Sequence, residues 1–226
     1  MCRKAMNNKK THIYFVPGLA ADKEIFENIS LPENTYSLHV ISWLIPIKKE
    51  TIAQYAKRMA GFVTEKNAVL VGVSFGGVVA QEMSSFLKLK KLIIISSIKT
   101  KFELPIKFKI AKKLKFYKLI PTRLFLTSEN LTKFAFGPTS RKRLNLYQNY
   151  LHIRDKRYLD WAIKNMITWN QIKPLPNVYH VHGDDDLVFP IKHIKNAITI
   201  QGGSHIMLLT KGPLISRKIV DILSYK

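Results

Sequence analysis

The chain has 226 residues, of which 46% are hydrophobic, which is enough to build the core of one substantial α/β domain and argues against wholesale disorder. A single cysteine, Cys2, excludes both a disulfide framework and a cysteine-based metal site. Lysine and arginine number 37 against 15 for aspartate and glutamate, which gives a net charge of +22. Such a balance favours an anionic substrate or partner.

No hydrophobic run is long enough to cross a membrane, and the apolar stretch at residues 13–16 is too short for a signal peptide core. We therefore expect a cytoplasmic protein without a transmembrane segment. No nucleic-acid-binding motif accompanies the basic residues, so we expect no specific nucleic-acid partner. Two interpretations of the charge stay open. It is a lysine-rich background at solvated positions, or it attracts an anionic substrate or an acidic carrier protein.

Six segments have the continuous, β-branched composition of buried strands. In chain order they are residues 12–16, 37–43, 68–73, 92–96, 177–182 and 197–200. Helical spacing of apolar residues lies between most of them, and the clearest examples are residues 51–63, 78–87 and 213–224. This alternation predicts an α/β fold with a mostly parallel six-stranded sheet and helices on both faces.

The alternation is interrupted once, between the fourth and fifth strands. Residues 100–173 show no good strand pattern and are interpreted as a helical insertion. No linker or repeat marks a boundary, so we predict a single domain over residues 1–226. Some aromatic residues of the insertion form either an apolar acyl pocket or the insertion's own core, namely Phe125, Phe134, Tyr147, Trp161 and Trp169.

A serine between two glycines joins the third strand to the next helix, in the run GVSFGG at residues 72–77. Gly-Ser-Gly clusters are ordinary in turns, but a strand-to-helix turn with serine at its apex is the nucleophile elbow. Gly72 and Gly76 would let the strand and the helix approach closely, and the turn would hold the Ser74 hydroxyl above the sheet. Ser74 is therefore the candidate nucleophile.

A serine nucleophile needs a base and a group that orients the base. Asp184, Asp185 and Asp186 directly follow the fifth strand, and His205 follows the sixth after a loop of small residues. Because the carboxyl ends of parallel strands share one edge of a sheet, we expect these side chains to meet Ser74. The three adjacent carboxylates lack the spacing of a cation-binding loop, so we expect neither a metal nor a cofactor.

Four motifs together resemble the α/β-hydrolase superfamily. GVSFGG, HGDDDLVFP and GGSHIM resemble its elbow, acid loop and histidine loop, and YFVPGLAADKEIF resembles its oxyanion loop. The resemblance covers most of the chain and places residues 100–173 where the family has its variable helical cap. Two departures stand out. Pro17 precedes Gly18 where the family commonly has histidine, and the antiparallel hairpin that usually opens the sheet is expected to be missing.

The resemblance implies a role for each candidate residue. Ser74 would be the nucleophile and His205 the general base, and the family spacing His-Gly-x-x-Asp, with a proline four residues later, selects Asp186 as the acid. Backbone N–H groups of Leu19 and Phe75 would form the oxyanion hole, with both side chains on the pocket floor.

We therefore expect a carboxylesterase-like serine hydrolase that cleaves carboxylic ester or thioester bonds through an acyl-enzyme. Three alternatives stay open. The first is an acyltransferase or thioesterase acting on an acidic acyl-carrier protein, and the second is a catalytically silent ligand-binding homologue. The third is a membrane-surface lipase that uses residues 108–120 as a basic amphipathic helix, although a cap helix with its apolar face on the core is favoured there.

Overall fold

The structure is a computed structural model and describes residues 10–114 and 149–225. The strands within these ranges are β1 (Thr11–Val16), β2 (Tyr36–Val40), β3 (Val69–Val73), β4 (Lys91–Ile95), β5 (Val178–Gly183) and β6 (Ile198–Ile200). The α-helices are α1 (Ile52–Ala60), α2 (Phe75–Met83), α3 (Ile106–Lys113), α4 (Lys156–Thr168) and α5 (Met207–Ser224). Short 3₁₀ turns occur at Lys23–Phe26, Ser84–Phe86, Lys101–Glu103 and Ile191–His193.

The six strands form one sheet in the order β2-β1-β3-β4-β5-β6, and every neighbouring pair is parallel. The prediction of a six-stranded parallel sheet with helices is confirmed. The chain first moves from β1 to β2 and then returns past β1 to β3, so the strand order reverses between β1 and β3. In open parallel sheets, the crevice at the carboxyl ends of such a pair is where ligands bind.

The central strand shows that both faces of the sheet are covered. All five residues of β3 are buried, and successive strand residues point to opposite faces. Helices α1 and α2 pack against each other, while α5 packs against β5 and the turn at Lys23–Phe26. Helix α1 begins where the sequence predicts, because Thr51 and Gln54 form a capping box.

Three element boundaries near the crevice differ from the sequence prediction. Strand β2 ends at Val40 instead of residue 43, because the next residues leave the sheet and carry Trp43 toward the loop after β1. Helix α2 begins at Phe75 instead of residue 78. Gly76 and Gly77 are already helical, but they have no apolar side chain, so the spacing of apolar residues does not reveal this first turn. Helix α5 begins at Met207 and is kinked at Lys211, just before Pro213, where the prediction had it start.

The structure describes residues 100–114 and 149–173 of the predicted insertion, and these parts contain α3 and α4 but no strand. Trp161 and Trp169 are buried in the core. The Trp161 indole donates to the Glu50 carbonyl at 2.8 Å and the Trp169 indole to the Glu82 carboxylate at 2.7 Å. These two residues therefore belong to packing rather than to an acyl pocket. Phe125, Phe134 and Tyr147 lie outside the described residues.

Helix α3 only partly follows the favoured interpretation of a cap helix with its apolar face on the core. Phe108 is buried, but Ile106 and Ile110 are exposed. Residues 115–120 of that predicted helix lie outside the described ranges. None of the helices in residues 10–114 and 149–225 has the length and hydropathy of a membrane span.

Candidate active site

Ser74 lies at the sharp turn between β3 and α2, with φ of 52° and ψ of −120°. A positive φ in a residue with a Cβ costs on the order of 1–3 kcal/mol, so the surroundings must hold this turn. The Ser74 amide donates to the Ile95 carbonyl at 2.9 Å. The Ser74 carbonyl accepts from the Ser97 hydroxyl at 2.7 Å and from the Gly77 amide at 2.9 Å. The end of β4 therefore holds the elbow in its unfavourable conformation.

Gly72 and Gly76 are required at the elbow for reasons of space. A Cβ on Gly72 would lie 2.4 Å from the Gly76 carbonyl oxygen, and one on Gly76 would lie 2.1 Å from the Pro17 carbonyl oxygen. Both neighbours are backbone atoms that cannot move aside. The two glycines thus let α2 approach β3 and let the elbow approach the loop after β1.

The structure brings Ser74, His205 and Asp186 into one hydrogen-bonded row. The Ser74 Oγ lies 2.9 Å from His205 Nε2, and His205 Nδ1 lies 2.8 Å from Asp186 Oδ2. His205 is only 4% exposed and Asp186 only 2%. Asp184 and Asp185 are exposed, so of the three adjacent carboxylates the fold directs Asp186 to the histidine. The row has the order in which a candidate nucleophile, base and orienting acid would stand.

The acid loop holds Asp186 as a carboxylate. Its Oδ1 accepts hydrogen bonds from the amides of Val188 and Phe189, each at 2.8 Å. Burial alone would raise the pKa of Asp186, but the electrostatic interaction and hydrogen bond with His205, together with the neighbouring His182 imidazole and the Phe189 amide, lower its pKa below the usual range. The orienting group is therefore ionised at neutral pH.

A second buried histidine pair lies behind the acid. The Phe189 carbonyl can only accept a hydrogen bond, so His182 donates to it from Nε2, at 2.8 Å. His182 Nδ1 then accepts from His180 Nε2, at 3.1 Å. Burial, above all other causes, lowers the pKa of both imidazoles and holds that of His180 well below its usual value. The pair is therefore neutral. It supports the acid loop, because His182 binds the Phe189 carbonyl and its Nε2 also lies 3.5 Å from Asp186 Oδ2.

Acidification is expected to destabilise the fold through this pair. The unfolded chain protonates His180 and His182 near the ordinary histidine pKa of about 6.5, whereas the fold holds both pKa values lower. The folded state then binds fewer protons, so the free energy of unfolding falls as the pH drops below about 6.5, by up to ~1.4 kcal/mol per pH unit per histidine. Urea unfolding between about pH 8 and pH 5.5 measures this slope.

The variant His180→Gln should reduce that slope by about one proton. At about pH 8 the imidazole is neutral in both states, so any difference between variant and wild type there reports packing alone. An unchanged slope in the variant would show that His180 is not held neutral by the fold.

A small apolar cavity of about 30 Å³ opens at Ser74 and His205. Its apolar lining includes Leu19, Ala21, Ile25, Ile206 and Leu208. Leu19 therefore lines the pocket as expected. The Phe75 side chain does not, since its ring packs between Trp43 and Trp161 in an aromatic cluster, with centroid distances of 5.6 and 5.9 Å. The expectation that the Phe75 side chain forms the pocket floor is wrong, because α2 turns that side chain into the core.

The two predicted oxyanion donors flank the elbow. Gly18 lies against Ser74, and a Cβ on Gly18 would come within 3.6 Å of the Ser74 Cβ. Leu19 follows Gly18, and Phe75 is the first residue of α2, where backbone N–H groups have no partner within the helix. Neither the Leu19 amide nor the Phe75 amide donates to another described residue. Both N–H groups are thus available to a bound oxygen atom.

Two supporting residues were not found by sequence reasoning. Ser97, which holds the Ser74 carbonyl, follows β4 at the sheet edge that carries the other candidates, so its position after a strand could have indicated it. Trp43, whose indole donates to the Gly18 carbonyl at 3.0 Å, falls inside the strand that the sequence predicts over residues 37–43. No local pattern signals that contact, which joins residues 25 positions apart.

No protein-family model matches the sequence, and a comparison with curated proteins also finds no match. Solved structures do match. The chain is similar to a bromoperoxidase from Bacillus anthracis, at 15% identity and a TM-score of 0.69, over 96% of this chain and 93% of the other. An esterase from Exiguobacterium antarcticum has 14% identity and a TM-score of 0.68 over the same shares. A lipase-esterase related protein from Clostridium acetobutylicum has 15% identity and a TM-score of 0.63 over 96% of each chain.

These similarities span nearly the whole length of both chains in each comparison. At this level of identity they establish the fold. The chain has the α/β-hydrolase fold, as its motifs predict.

Proposed function

We propose that this α/β-hydrolase fold carries a serine hydrolase that cleaves carboxylic ester or thioester bonds through an acyl-enzyme. The observation that carries the proposal is the row of Ser74, His205 and Asp186, joined at 2.9 and 2.8 Å. Beside the row are the backbone N–H groups of Leu19 and Phe75, which have no acceptor among the described residues. They would supply the oxyanion donors that acyl transfer also needs. Similarity in fold to an esterase and to a lipase-esterase related protein supports the same reaction class.

In the proposed acylation step, the Ser74 Oγ attacks the acyl carbon while His205 Nε2 takes the hydroxyl proton. Asp186 accepts the Nδ1–H bond and stabilises the imidazolium that forms. His205 then gives the proton to the leaving alcohol or thiol as the C–O or C–S bond breaks. Deacylation repeats the sequence with water as the nucleophile, and the acid product leaves Ser74 free.

The amides of Leu19 and Phe75 would stabilise the oxyanion of each tetrahedral intermediate. Each such donor is typically worth about 3 kcal/mol of transition-state stabilisation. The N-terminal end of α2 adds its positive dipole at the same point. The elbow supports this role, because the Phe75 amide directly follows Ser74 at the first residue of α2.

Two features bear on the substrate. The cavity at Ser74 has a mostly apolar lining, which favours a hydrocarbon acyl group. On α3, Lys107, Lys109 and Lys113 are exposed, and the ring of Phe108 lies 6.1 Å from that of Phe189, which itself packs on the triad histidine at 5.4 Å. A basic surface thus adjoins the acid loop. It favours an anionic substrate, including a thioester on an acidic carrier protein. The chain is proposed to be a single domain with a cap insertion at residues 100–173, of which residues 115–148 lie outside the described ranges.

A series of p-nitrophenyl esters and acyl thioesters of increasing acyl length tests the proposal. We expect hydrolysis of both classes, and the acyl length at which kcat/KM is highest measures the room that the apolar cavity at Ser74 offers. The salt dependence separates the two interpretations of the charge. For an anionic thioester kcat/KM should fall between about 0.01 and 0.15 M salt, as the Debye length shortens from about 30 to 8 Å, while that for a neutral ester stays flat.

Replacing Lys107, Lys109 and Lys113 with glutamate should flatten the salt curve of the anionic thioester and leave that of the neutral ester unchanged. Parallel curves for the two substrates in the wild type would remove the electrostatic argument and leave a plain esterase. Absence of turnover with every ester and thioester would contradict the hydrolase and favour a silent binding protein. The next lysine of this segment, Lys115, lies outside the described residues.

A further inference from the structure

We infer that Trp43 is a positioning residue for the oxyanion hole, because its indole N–H holds the peptide unit that presents the Leu19 amide. The inference rests on the proposed function, because it concerns the oxyanion hole of the same active site. Trp43 lies just beyond the end of β2, where the chain leaves the sheet, and is only 8% exposed. Its Nε1 donates to the Gly18 carbonyl oxygen at 3.0 Å.

The direction of the Leu19 N–H follows from the planarity of one peptide unit. The Gly18 carbonyl and the Leu19 N–H belong to the same trans peptide, so they point in opposite directions. Holding the carbonyl toward Trp43 therefore directs the N–H away from Trp43. Gly18, Leu19 and Ser74 line the same cavity, and the Leu19 N–H has no acceptor among the described residues, as expected for an N–H directed into that cavity.

This loop needs an external constraint. Gly18 permits a wide range of backbone angles, so its own dihedral preferences do not fix the orientation of its peptide unit. Ala20 has a φ of 62°, which is unfavourable for a residue with a Cβ. The Ala21 amide donates to the Gly18 carbonyl at 3.2 Å, but that bond belongs to the turn itself. The indole of Trp43 is the contact that ties the Gly18 carbonyl to a different part of the fold.

Trp43 is itself held rigidly, as a positioning residue must be. Its ring stacks on Phe75 at 5.6 Å and packs on Tyr158 at 5.4 Å. The Tyr158 hydroxyl in turn lies 3.5 Å from the Ala20 amide, which donates to it. One indole therefore contacts both halves of the proposed oxyanion hole, the Gly18 carbonyl on one side and the side chain of Phe75 on the other.

The chain offers a matched control in the same aromatic cluster. Trp161 is 9% exposed, and its ring packs on Phe75 at 5.9 Å. Its Nε1 also donates to a backbone carbonyl, that of Glu50, at 2.8 Å. Trp161→Phe therefore removes the same kind of donor and the same ring atoms as Trp43→Phe, but without touching the Gly18 peptide.

The experiment compares Trp43→Phe with Trp161→Phe in hydrolysis of a neutral ester and in inhibition by a trifluoromethyl ketone. Such a ketone forms a hemiketal oxyanion with the serine and so reports the oxyanion hole directly. Trp43→Phe should lower kcat on the order of 10- to 100-fold, less than deleting a donor outright, because the N–H is misdirected and not lost. KM should change by no more than about twofold, and Ki should rise by the same factor as kcat falls.

Trp161→Phe should leave kcat and Ki within about twofold of the wild type. Its loss of thermal stability should be similar to that of Trp43→Phe. The pH profile of kcat/KM should be the same in all three proteins, because His205 and Asp186 are untouched. If Trp43→Phe does not fold, benzothienylalanine at position 43 keeps the ring size and removes only the N–H, and the same losses are expected.

Equal effects of the two substitutions on kcat and Ki would overturn the role of Trp43 and leave a purely structural residue. A rise in KM without a fall in kcat would also overturn it. Failure of the proposed function is a separate outcome, because it shows as ester hydrolysis that survives loss of the Ser74 hydroxyl, whatever the tryptophan variants do.

Discussion

Replacing Ser74 with alanine is expected to lower kcat for ester hydrolysis on the order of 10⁶-fold, the loss typical of a triad nucleophile. The reason is geometric. The Ser74 Oγ lies 2.9 Å from His205 Nε2, and Ser74 lines the apolar cavity. A fluorophosphonate probe, which reacts preferentially with an activated serine hydroxyl, should label the wild type at Ser74 and leave the variant unlabelled.

The control for this prediction is Ser84→Ala at the far end of α2, whose hydroxyl donates to the Gln81 carbonyl. It should retain full labelling and turnover. Circular dichroism should show the same fold in both variants, because an alanine side chain fits within the space of serine. Labelling that survives Ser74→Ala would contradict the assignment of Ser74 as the nucleophile.

Replacing Asp186 with asparagine is expected to lower kcat on the order of 10⁴-fold. Asp186 Oδ1 accepts from the amides of Val188 and Phe189, so an asparagine must place its carbonyl oxygen there. Its NH₂ group then faces His205 Nδ1 and donates to it. The imidazole proton is thereby moved to Nε2, which can no longer accept the proton of Ser74.

The matched control is Asp184→Asn, two residues earlier in the same loop. Asp184 is exposed. Its backbone amide donates a hydrogen bond to the Ile200 carbonyl, and this bond does not involve the carboxylate. Its substitution should change kcat by less than about threefold. If Asp184→Asn caused the larger loss, the triad acid would be Asp184 and Asp186 would serve only to fold the loop.

Sequence reasoning reached the candidate residues because each of them follows a strand. Ser74, Asp186 and His205 come after β3, β5 and β6, and a parallel sheet brings such positions to one edge whatever the details of packing. The same reasoning could not choose firmly among three adjacent aspartates. Hydrogen bonds from two amides of the loop, together with the neighbouring imidazoles, direct Asp186 inward and leave Asp184 and Asp185 in solvent.

The sequence by itself determined the strand–helix alternation, the elbow and the order of the candidate triad, because periodicity, glycine spacing and strand ends are local properties. Only the tertiary structure decided which groups brace the site. Trp43 meets Gly18 across 25 residues, and Ser97 meets Ser74 across 23. Contacts of this kind depend on how distant segments pack, and a single side chain that donates one hydrogen bond leaves no periodic trace in the sequence.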